Sequence, residues 1–325
     1  MSYSSIELCA GAGGQALGLE KAGFNHVELI EIDHNACNTL RFNRPQWKII
    51  EGDIKDYSPK LAVDIDLLAG GVPCPPFSVA GKQLGAVDER DLFPEALRIV
   101  SELKPKAVML ENVRGLLDSI FDEYRTKIIK TLESIGYITE WRLLNASDYG
   151  VSQLRPRVVF ISIKKELAPY FFWPNPIDKS PPSIGELLFD LMAKNNWEGA
   201  ALWKENACDI APTIVGGSKK HGGPDLGPTR ARKAWASLGV DGKGIANDPP
   251  EKGFKGMPRL TVEMVARIQG FPSDWIFTGS KTNKYRQVGN AFPPPVAEAV
   301  GTQISKALDM YSTFVEHKIP ERKLA

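Results

Sequence analysis

Short apolar runs recur along the first half of the chain, separated by turns and by segments with helical spacing. Seven of these runs are strand candidates: Ile6–Cys9, Val27–Ile32, Trp47–Ile50, Ile65–Ala69, Ala107–Leu110, Tyr137–Leu144 and Val158–Ile163. Helical spacing of apolar residues follows the first run up to Lys21 and recurs over Pro94–Leu103 and Asp118–Ile135. Strands that alternate with helices predict an α/β fold with a doubly wound, mostly parallel seven-stranded sheet.

The regular alternation stops near Trp173. A cluster of prolines at positions 174, 176, 181 and 182 predicts a linker. From Ile210 to Leu260 the chain has ten glycines and six prolines, with nine lysines and arginines against four acidic residues. Such a basic, loop-rich module can lie against phosphate groups. The alternative from composition is a solvated flexible insertion.

Regular structure returns near the end of the chain. Leu260–Ile268 is predicted to be helical, with Thr261 as its N-cap and Gly270 as its stop, and a last helix is predicted from Val296 to about Tyr311. We therefore expect two units. Residues 1–180 and 286–325 form the α/β domain, and residues 181–285 form a second, smaller loop-rich domain with its hinge.

Composition excludes several classes of protein. The 325 residues carry a net charge of +1, and the four cysteines and four histidines form no ligand cluster. We therefore expect no disulfide framework, no bound metal and a reducing, cytoplasmic location. No signal peptide or membrane span is apparent.

A glycine turn follows the first strand candidate. Ala10-Gly11-Ala12-Gly13-Gly14 leads into a helix and a second strand that ends at Glu31, twenty positions after Gly11. A carboxylate there can bind a ribose hydroxyl, and Asp53 ends the third strand on the same edge. The pattern predicts an adenosine site, although NAD-dependent dehydrogenases share this kind of turn.

Cys74 follows the fourth strand in the stretch Gly71-Val72-Pro73-Cys74-Pro75-Pro76-Phe77-Ser78. The flanking prolines forbid helix and hold the thiol on an extended loop, as expected of a nucleophile at the mouth of an α/β sheet. A buried structural thiol is the alternative. The Gly-flanked segment from Phe77 to Asp91 has the character of a lid, with an ordinary surface connection as the other interpretation.

Two further polar groups are expected at the same sheet edge. Glu111 and Asn112 end the fifth strand, and Gln153, Arg155 and Arg157 alternate before the seventh. Alternate residues of an extended segment face one way, so these side chains can hold a planar polar ligand. Taken alone, the alternation also fits a solvated basic edge strand.

Together these residues closely resemble the DNA (cytosine-5) methyltransferases. The matching blocks are the glycine turn with Glu31 and Asp53, Gly71–Ser78, Glu111-Asn112-Val113, Gln153-x-Arg155-x-Arg157, Arg259-Leu260-Thr261 through Gly270-Phe271-Pro272, and Gln287-Val288-Gly289-Asn290. They cover nearly the whole chain in the family's order, except for the basic module, where the family has its variable target-recognition domain.

The resemblance implies a covalent mechanism. Cys74 would add to carbon 6 of a flipped-out cytosine in duplex DNA, so that carbon 5 can accept the methyl group of S-adenosylmethionine. Glu111 would protonate ring N3, which predicts a raised pKa. Arg155 would bind the cytosine carbonyl oxygen, with Arg157 and Gln153 steadying the strand and loop.

The resemblance also assigns binding residues and no metal. For the cofactor these are Cys9, Ala10, Gly11, Gly13, Gly14, Glu31, Ile32, Asp53, Ile54, Pro73, Leu92, Asn290 and Ala291. Cys9 departs from the family, because many members have a Phe there that packs on the cofactor. For DNA the residues are Ser78, Lys82, Thr213, Lys219, Lys220, Arg230 and Arg232.

The expected partner is double-stranded DNA, with a cognate restriction endonuclease acting separately on the same sites. We expect a monomer. An RNA cytosine-5 methyltransferase on the same scaffold is the closest alternative, and the long basic insertion favours DNA over it. The interpretation as a Rossmann dehydrogenase gives Cys74, Glu111 and the arginines no shared role. A catalytically silent DNA-binding protein is disfavoured because every catalytic position is filled.

Overall fold

The protein is built on a sheet of seven strands. The computed structural model describes residues 2–59, 64–73, 91–216 and 224–318. Residues 316–318 are described by their backbone alone. The strands are β1 (Tyr3–Leu8), β2 (Phe24–Glu31), β3 (Ile49–Glu51), β4 (Leu67–Gly70), β5 (Ala107–Val113), β6 (Tyr137–Asn145) and β7 (Pro156–Lys164), in the order β3-β2-β1-β4-β5-β7-β6.

The first five strands run parallel, and β7 runs antiparallel to both β5 and β6. β4 and the first part of β5 are buried apolar runs because helices cover both faces of the sheet centre. The predicted doubly wound, mostly parallel sheet is therefore confirmed. All seven strand candidates are strands, with ends that differ by a few residues.

Helices of the described residues pack on this sheet and on the segment that follows it. They are α1 (Gly14–Lys21), α2 (His34–Asn43), α3 (Phe93–Leu103), α4 (Asp122–Ser134), α5 (Ile184–Ala193), α6 (Ala200–Asn206), α7 (Thr229–Ala236), α8 (Val262–Ile268), α9 (Lys281–Asn290) and α10 (Pro294–Lys318). None of them is both long enough and apolar enough to cross a membrane.

The predicted N-cap and stop residues of α8 are confirmed. The Thr261 hydroxyl accepts a hydrogen bond from the Met264 N–H at 3.2 Å, and Gly270 has a φ of +87° just after the helix. The helix predicted over Asp118–Ile135 begins only at Asp122, because short 3₁₀ turns occupy Arg114–Leu117 and Ser119–Phe121.

The segment from 184 to 288 shares a hydrophobic core with α1 and α2. Buried residues of α5, α7, α8 and α9 form one continuous apolar cluster with Leu17 of α1 and Leu40 of α2. Trp275 lies in this cluster, and its indole N–H donates to the Ala12 carbonyl at 3.2 Å. The Arg44 guanidinium lies over the ring of Trp275, 5.3 Å from its centroid. The second unit is therefore packed directly onto the glycine turn, and its boundaries at 181 and 285 stay a prediction.

Trp275 is expected to be a major stabilising contact between the two parts of the chain. Trp275→Ala should lower the free energy of unfolding by about 3–5 kcal/mol, because it leaves a cavity and removes the cation–π contact. Ile276→Ala is the matched control, since Ile276 is exposed and should change stability by less than about 0.5 kcal/mol. Denaturant unfolding curves measure both, and equal effects would contradict the assignment.

Candidate active site

A cavity of about 300 Å³ opens at the carboxyl ends of the parallel strands. Residues after β1, β2, β3 and β4 line it, together with Glu111 of β5 and the end of α9. Of the cofactor residues expected from the resemblance, the lining includes Cys9, Ala10, Gly11, Gly14, Glu31, Ile32, Asp53, Ile54, Pro73, Leu92, Asn290 and Ala291. The strand ends, Leu92 and the end of α9 therefore bring these residues together, and their contact with a cofactor stays a prediction.

Gly13 is the exception, because it does not line the cavity. Its φ is +86°, and a Cβ at this position would lie 2.7 Å from the Leu40 side chain and 2.9 Å from the Trp275 ring. Glycine is required there by backbone conformation and by the close packing of the second unit. Gly13 therefore has a structural role, and its expected contact with the cofactor stays a prediction.

Glu31 braces the glycine turn. One carboxylate oxygen accepts from the Gly11 N–H at 2.7 Å, and the other accepts from the Asp33 N–H at 2.7 Å. Burial raises the pKa of Glu31, and the two backbone N–H groups oppose that shift. A carboxylate has about four acceptor sites, so Glu31 can also bind a hydroxyl in the cavity.

The resemblance missed two buried polar residues that line the same cavity. The Glu7 Oε2 and Gln15 Oε1 atoms are buried without a hydrogen-bond partner among the described residues. Burial raises the pKa of Glu7 well above its usual range, and nearby Glu31 adds to the shift. The sequence signal was a glutamate inside an apolar strand, which costs free energy unless it has a purpose.

The chemistry of this lining fits S-adenosylmethionine. The described lining contains five acidic side chains (Glu7, Glu31, Asp33, Asp53 and Glu111), and the positive charge of a bound sulfonium cofactor would favour their ionised forms. Open acceptor oxygens at Glu7 and Gln15 suit a donor such as an ammonium group. Cys9 lines the cavity, and burial raises the pKa of its half-buried thiol.

The predicted acid lies at the inner rim of this cavity. The Glu111 carboxylate is held by the Arg157 Nε at 2.8 Å, and the two side chains are 11% and 13% exposed. Burial raises the pKa of Glu111, and the cations of Arg157 and Arg155 oppose the shift. The raised pKa expected from the sequence is confirmed in direction.

The segment leading to Cys74 is fixed against β5. The Asn112 amide donates to the Val72 carbonyl at 3.0 Å, and the Leu92 N–H donates to the Pro73 carbonyl at 3.1 Å. Pro73, which precedes Cys74 in the sequence, lines the cavity. Cys74 itself lies outside the described residues, as do Ser78, Lys82 and the proposed lid before Asp91.

Arg155 differs from its expected role. Its guanidinium is fully buried and donates to the carbonyls of Ile214 (2.7 Å), Gly289 (2.8 Å) and Ala291 (3.0 Å). Burial lowers the pKa of Arg155, although a guanidinium stays charged in proteins. Its Nε finds no partner among the described residues. Arg155 therefore ties backbone segments together, and Arg157 is the arginine paired with Glu111.

Gln153 belongs to the same buried network. Its side-chain amide donates to the Gln269 Oε1 at 2.6 Å, and its carbonyl oxygen accepts from the Ile214 N–H at 2.9 Å. Gln269 in turn donates to the Ala291 carbonyl at 2.6 Å. The alternation of Gln153, Arg155 and Arg157 therefore does not describe a solvated edge strand.

The residues expected to contact DNA are placed unequally. Arg230 is exposed on α7, whereas Arg232 is paired with Asp225 at 2.6 Å and the Thr213 hydroxyl donates to the Leu154 carbonyl. Lys219 and Lys220 lie outside the described residues. Arg230 is the most exposed of these three, whereas Arg232, with a side chain 40% exposed, and Thr213 also make contacts within the second unit.

Comparison with known proteins agrees with this geometry. The model of the C-5 cytosine-specific DNA methylase family matches residues 3–306. The chain belongs to that family and is a DNA (cytosine-5) methyltransferase. It is 58% identical to the type II methyltransferase M.NgoMIV of Neisseria gonorrhoeae, over 95% of this chain and 99% of the relative. Identity to M.NaeI of Lentzea aerocolonigenes is also 58%, over 95% of this chain and 76% of the relative.

Solved structures show the same fold. An Escherichia coli prophage protein assigned as a DNA modification methyltransferase superposes with a TM-score of 0.69 at 25% identity, covering 95% of this chain and all of the other. Spodoptera frugiperda DNMT2 superposes with a TM-score of 0.65 at 19% identity over 94% of this chain and all of the other, which supports the fold alone.

The Glu111–Arg157 pair allows a direct test by carbon-13 NMR of the glutamate carboxyl groups. The Glu111 signal, assigned with Glu111→Gln, should titrate above an ordinary glutamate, whose pKa is about 4.3. Arg157→Gln should raise that pKa further, since the variant removes the cation that favours the carboxylate. Titration of Glu111 together with surface glutamates would contradict the assignment.

Proposed function

We propose that this enzyme transfers a methyl group from S-adenosylmethionine to carbon 5 of a cytosine in a specific duplex DNA sequence, through a covalent bond to Cys74. The observation that supports this most is the Glu111–Arg157 ion pair at the rim of the cavity that Pro73 lines. An acid of raised pKa, held by a cation, thus lines the same cavity as the residue that precedes the candidate nucleophile.

The reaction requires activation of the cytosine ring. Attack of the Cys74 thiolate on carbon 6 forms the C–S bond and breaks the 5,6 π bond, and the electron pair moves toward N3. Glu111, protonated, donates its proton to N3, so that no full negative charge builds up on the ring. S-adenosylmethionine supplies the methyl group on a positively charged sulfur. Carbon 5 would take up that methyl group as the methyl–sulfur bond breaks. Loss of the carbon 5 proton to solvent then re-forms the 5,6 double bond and expels Cys74 as a thiolate, and N3 returns its proton to Glu111.

We assign the cytosine carbonyl oxygen to Arg157 in place of Arg155. Arg157 is partly exposed and adjoins Glu111, whereas the two terminal nitrogens of Arg155 already bind backbone carbonyls. Through this pairing Arg157 also orients the Glu111 carboxyl for N3. Gln153 and Arg155 act as positioning residues, since they hold the backbone of Ile214 and Ala291.

The target base must leave the duplex to reach this site, which costs a few kcal/mol of stacking and pairing. We propose that the unit over 181–285 grips the duplex, with Arg230 among the residues that contact DNA. The lysines at 219 and 220, together with Ser78 and Lys82, remain proposed DNA contacts from the sequence.

We also propose that the enzyme is the modification partner of a restriction endonuclease that cuts the same unmethylated site. The named type II relatives at 58% identity support this role and favour DNA over RNA as the substrate. The protein acts as a monomer in the cytoplasm, where its substrate lies, without a metal ion.

Cys74→Ala should abolish methyl transfer while cofactor and DNA binding persist, because only the nucleophile is removed. Transfer of labelled methyl groups into DNA measures activity, and bisulfite sequencing of the product maps the target site. Cys208→Ala is the matched control, since that thiol is exposed and away from the cavity lining. A duplex with 5-fluorocytosine at the mapped site should trap a covalent adduct of the native enzyme. Turnover by the Cys74 variant would refute the mechanism.

The two arginines should respond differently to substitution by lysine. Arg157→Lys is expected to lower kcat at least tenfold with little change in Tm, since it loses the planar fork at the reacting ring. Arg155→Lys should instead lower Tm by several degrees, because fewer buried carbonyls keep a donor. The reverse pattern in steady-state kinetics and thermal unfolding would return the carbonyl-binding role to Arg155.

A further inference from the structure

Two backbones cross at the wall of the cofactor cavity. A Cβ on Gly216 would lie 1.9 Å from the Asn290 Oδ1, and a Cβ on Gly289 would lie 2.4 Å from the Gly216 Cα. Glycine at both positions is therefore needed for this approach. Asn290 lines the cavity, so the second unit touches the cavity wall directly at Gly216.

Tyr285 holds the same crossing from inside α9. Its side chain is almost fully buried, and its hydroxyl lies 2.8 Å from the Val215 carbonyl and 2.7 Å from the Asp225 carbonyl. A single hydroxyl proton is shared between these two acceptors, which brings two separate segments of the second unit together. Tyr285 is five positions before Asn290 on the same helix.

Asp225 extends this connection to the surface that carries Arg230. Its carboxylate accepts from the Gly227 N–H at 2.9 Å and from the Arg232 Nη2 at 2.6 Å. Arg232 lies on α7, two residues after Arg230. Hydrogen bonds and close packing thus run without interruption from the cofactor cavity through α9 to α7.

We propose that Tyr285 is a positioning residue that couples the cofactor cavity to the DNA-recognition segments. A cofactor that contacts Asn290 and Ala291 fixes the end of α9, and Tyr285 then fixes the segments at Val215 and Asp225. The coupling is reciprocal, so cofactor and duplex raise each other's affinity by the same factor. The inference rests on the proposed function, because it takes duplex DNA as the ligand of the second unit.

Tyr285→Phe tests this coupling, because it keeps the ring and removes the hydroxyl. The Kd of a duplex with the mapped site is measured with and without S-adenosylhomocysteine, and the Kd of S-adenosylhomocysteine with and without that duplex. For each ligand, the Kd without the other ligand is divided by the Kd with it. In the native enzyme the two ratios should be equal and above one. In the variant both should fall about fivefold, the worth of one hydrogen bond. Tyr311→Phe, on α10 against Tyr170, is the control and should keep the native ratio.

An unchanged ratio in Tyr285→Phe, or a native ratio of one, would overturn the inference. The outcome is separable from a failure of the proposed function, since methyl transfer by the native enzyme is measured on the same duplex. Transfer with no loss of coupling in the variant refutes only the role of Tyr285. Absence of transfer by the native enzyme refutes the proposed function itself.

Gly216→Ala tests the crossing independently. Its methyl group would press on Asn290, so a substitution in the second unit should weaken S-adenosylhomocysteine binding about tenfold without any DNA. Gly244→Ala is the matched control, because its methyl group would meet only the end of the flexible Arg259 side chain, 3.2 Å away. Calorimetric titration measures the affinity of both variants for S-adenosylhomocysteine. Native affinity in Gly216→Ala would show that the contact between Gly216 and Asn290 does not affect cofactor binding.

Discussion

The reversal of one strand, β7, determines where the reactive groups meet. Because β7 runs antiparallel to β5, its first residues lie at the edge where the parallel strands end, and Arg157 is the register partner of Val113. Glu111 reaches the same edge from β5, so an acid and a cation separated by 46 positions form one pair. A parallel β7 would place Arg157 at the opposite edge. The antiparallel pairing is therefore the constraint on which both the site and the buried network depend.

Arg155 and Arg157, the two arginines near this edge, have different roles because they differ in burial and in hydrogen-bond partners. A buried cation is costly unless its donors are satisfied, and Arg155 meets that requirement with three backbone carbonyls from two distant segments. Both terminal nitrogens of Arg155 are therefore occupied, and the side chain links separate segments of the chain. Arg157 keeps its charge balanced by Glu111, which is an ionisable partner. A proton lost or gained by Glu111 therefore changes the electrostatic environment of Arg157, whereas the environment of Arg155 is set by fixed dipoles.

The sequence predicted the sheet well because buried strands are continuous apolar runs, which few other structures require. The placement of Gly11, Glu31 and Asp53 was predictable for a similar reason, since parallel strands deliver their last residues to one edge. The other residues expected at the cofactor came from the resemblance to the family. α9 was not predicted: its sequence KTNKYRQVGN has no apolar period, and its position depends on tertiary contacts such as those of Tyr285. The roles of Gly13 and of the two arginines also depend on which distant segment packs against them. Sequence spacing carries no information on that packing.

The second unit is attached to the sheet and its helices through many contacts, two of which limit how it can move. Trp275 packs against the glycine turn at one point, and the Arg155–Gln153–Gln269 network holds Ile214 and Ala291 at the other. Rotation of the unit as a rigid body would open a buried apolar contact or leave buried carbonyls without donors, each at a cost of a few kcal/mol. Reorientation of the unit is therefore more costly than rearrangement of exposed side chains on its surface, such as Arg230.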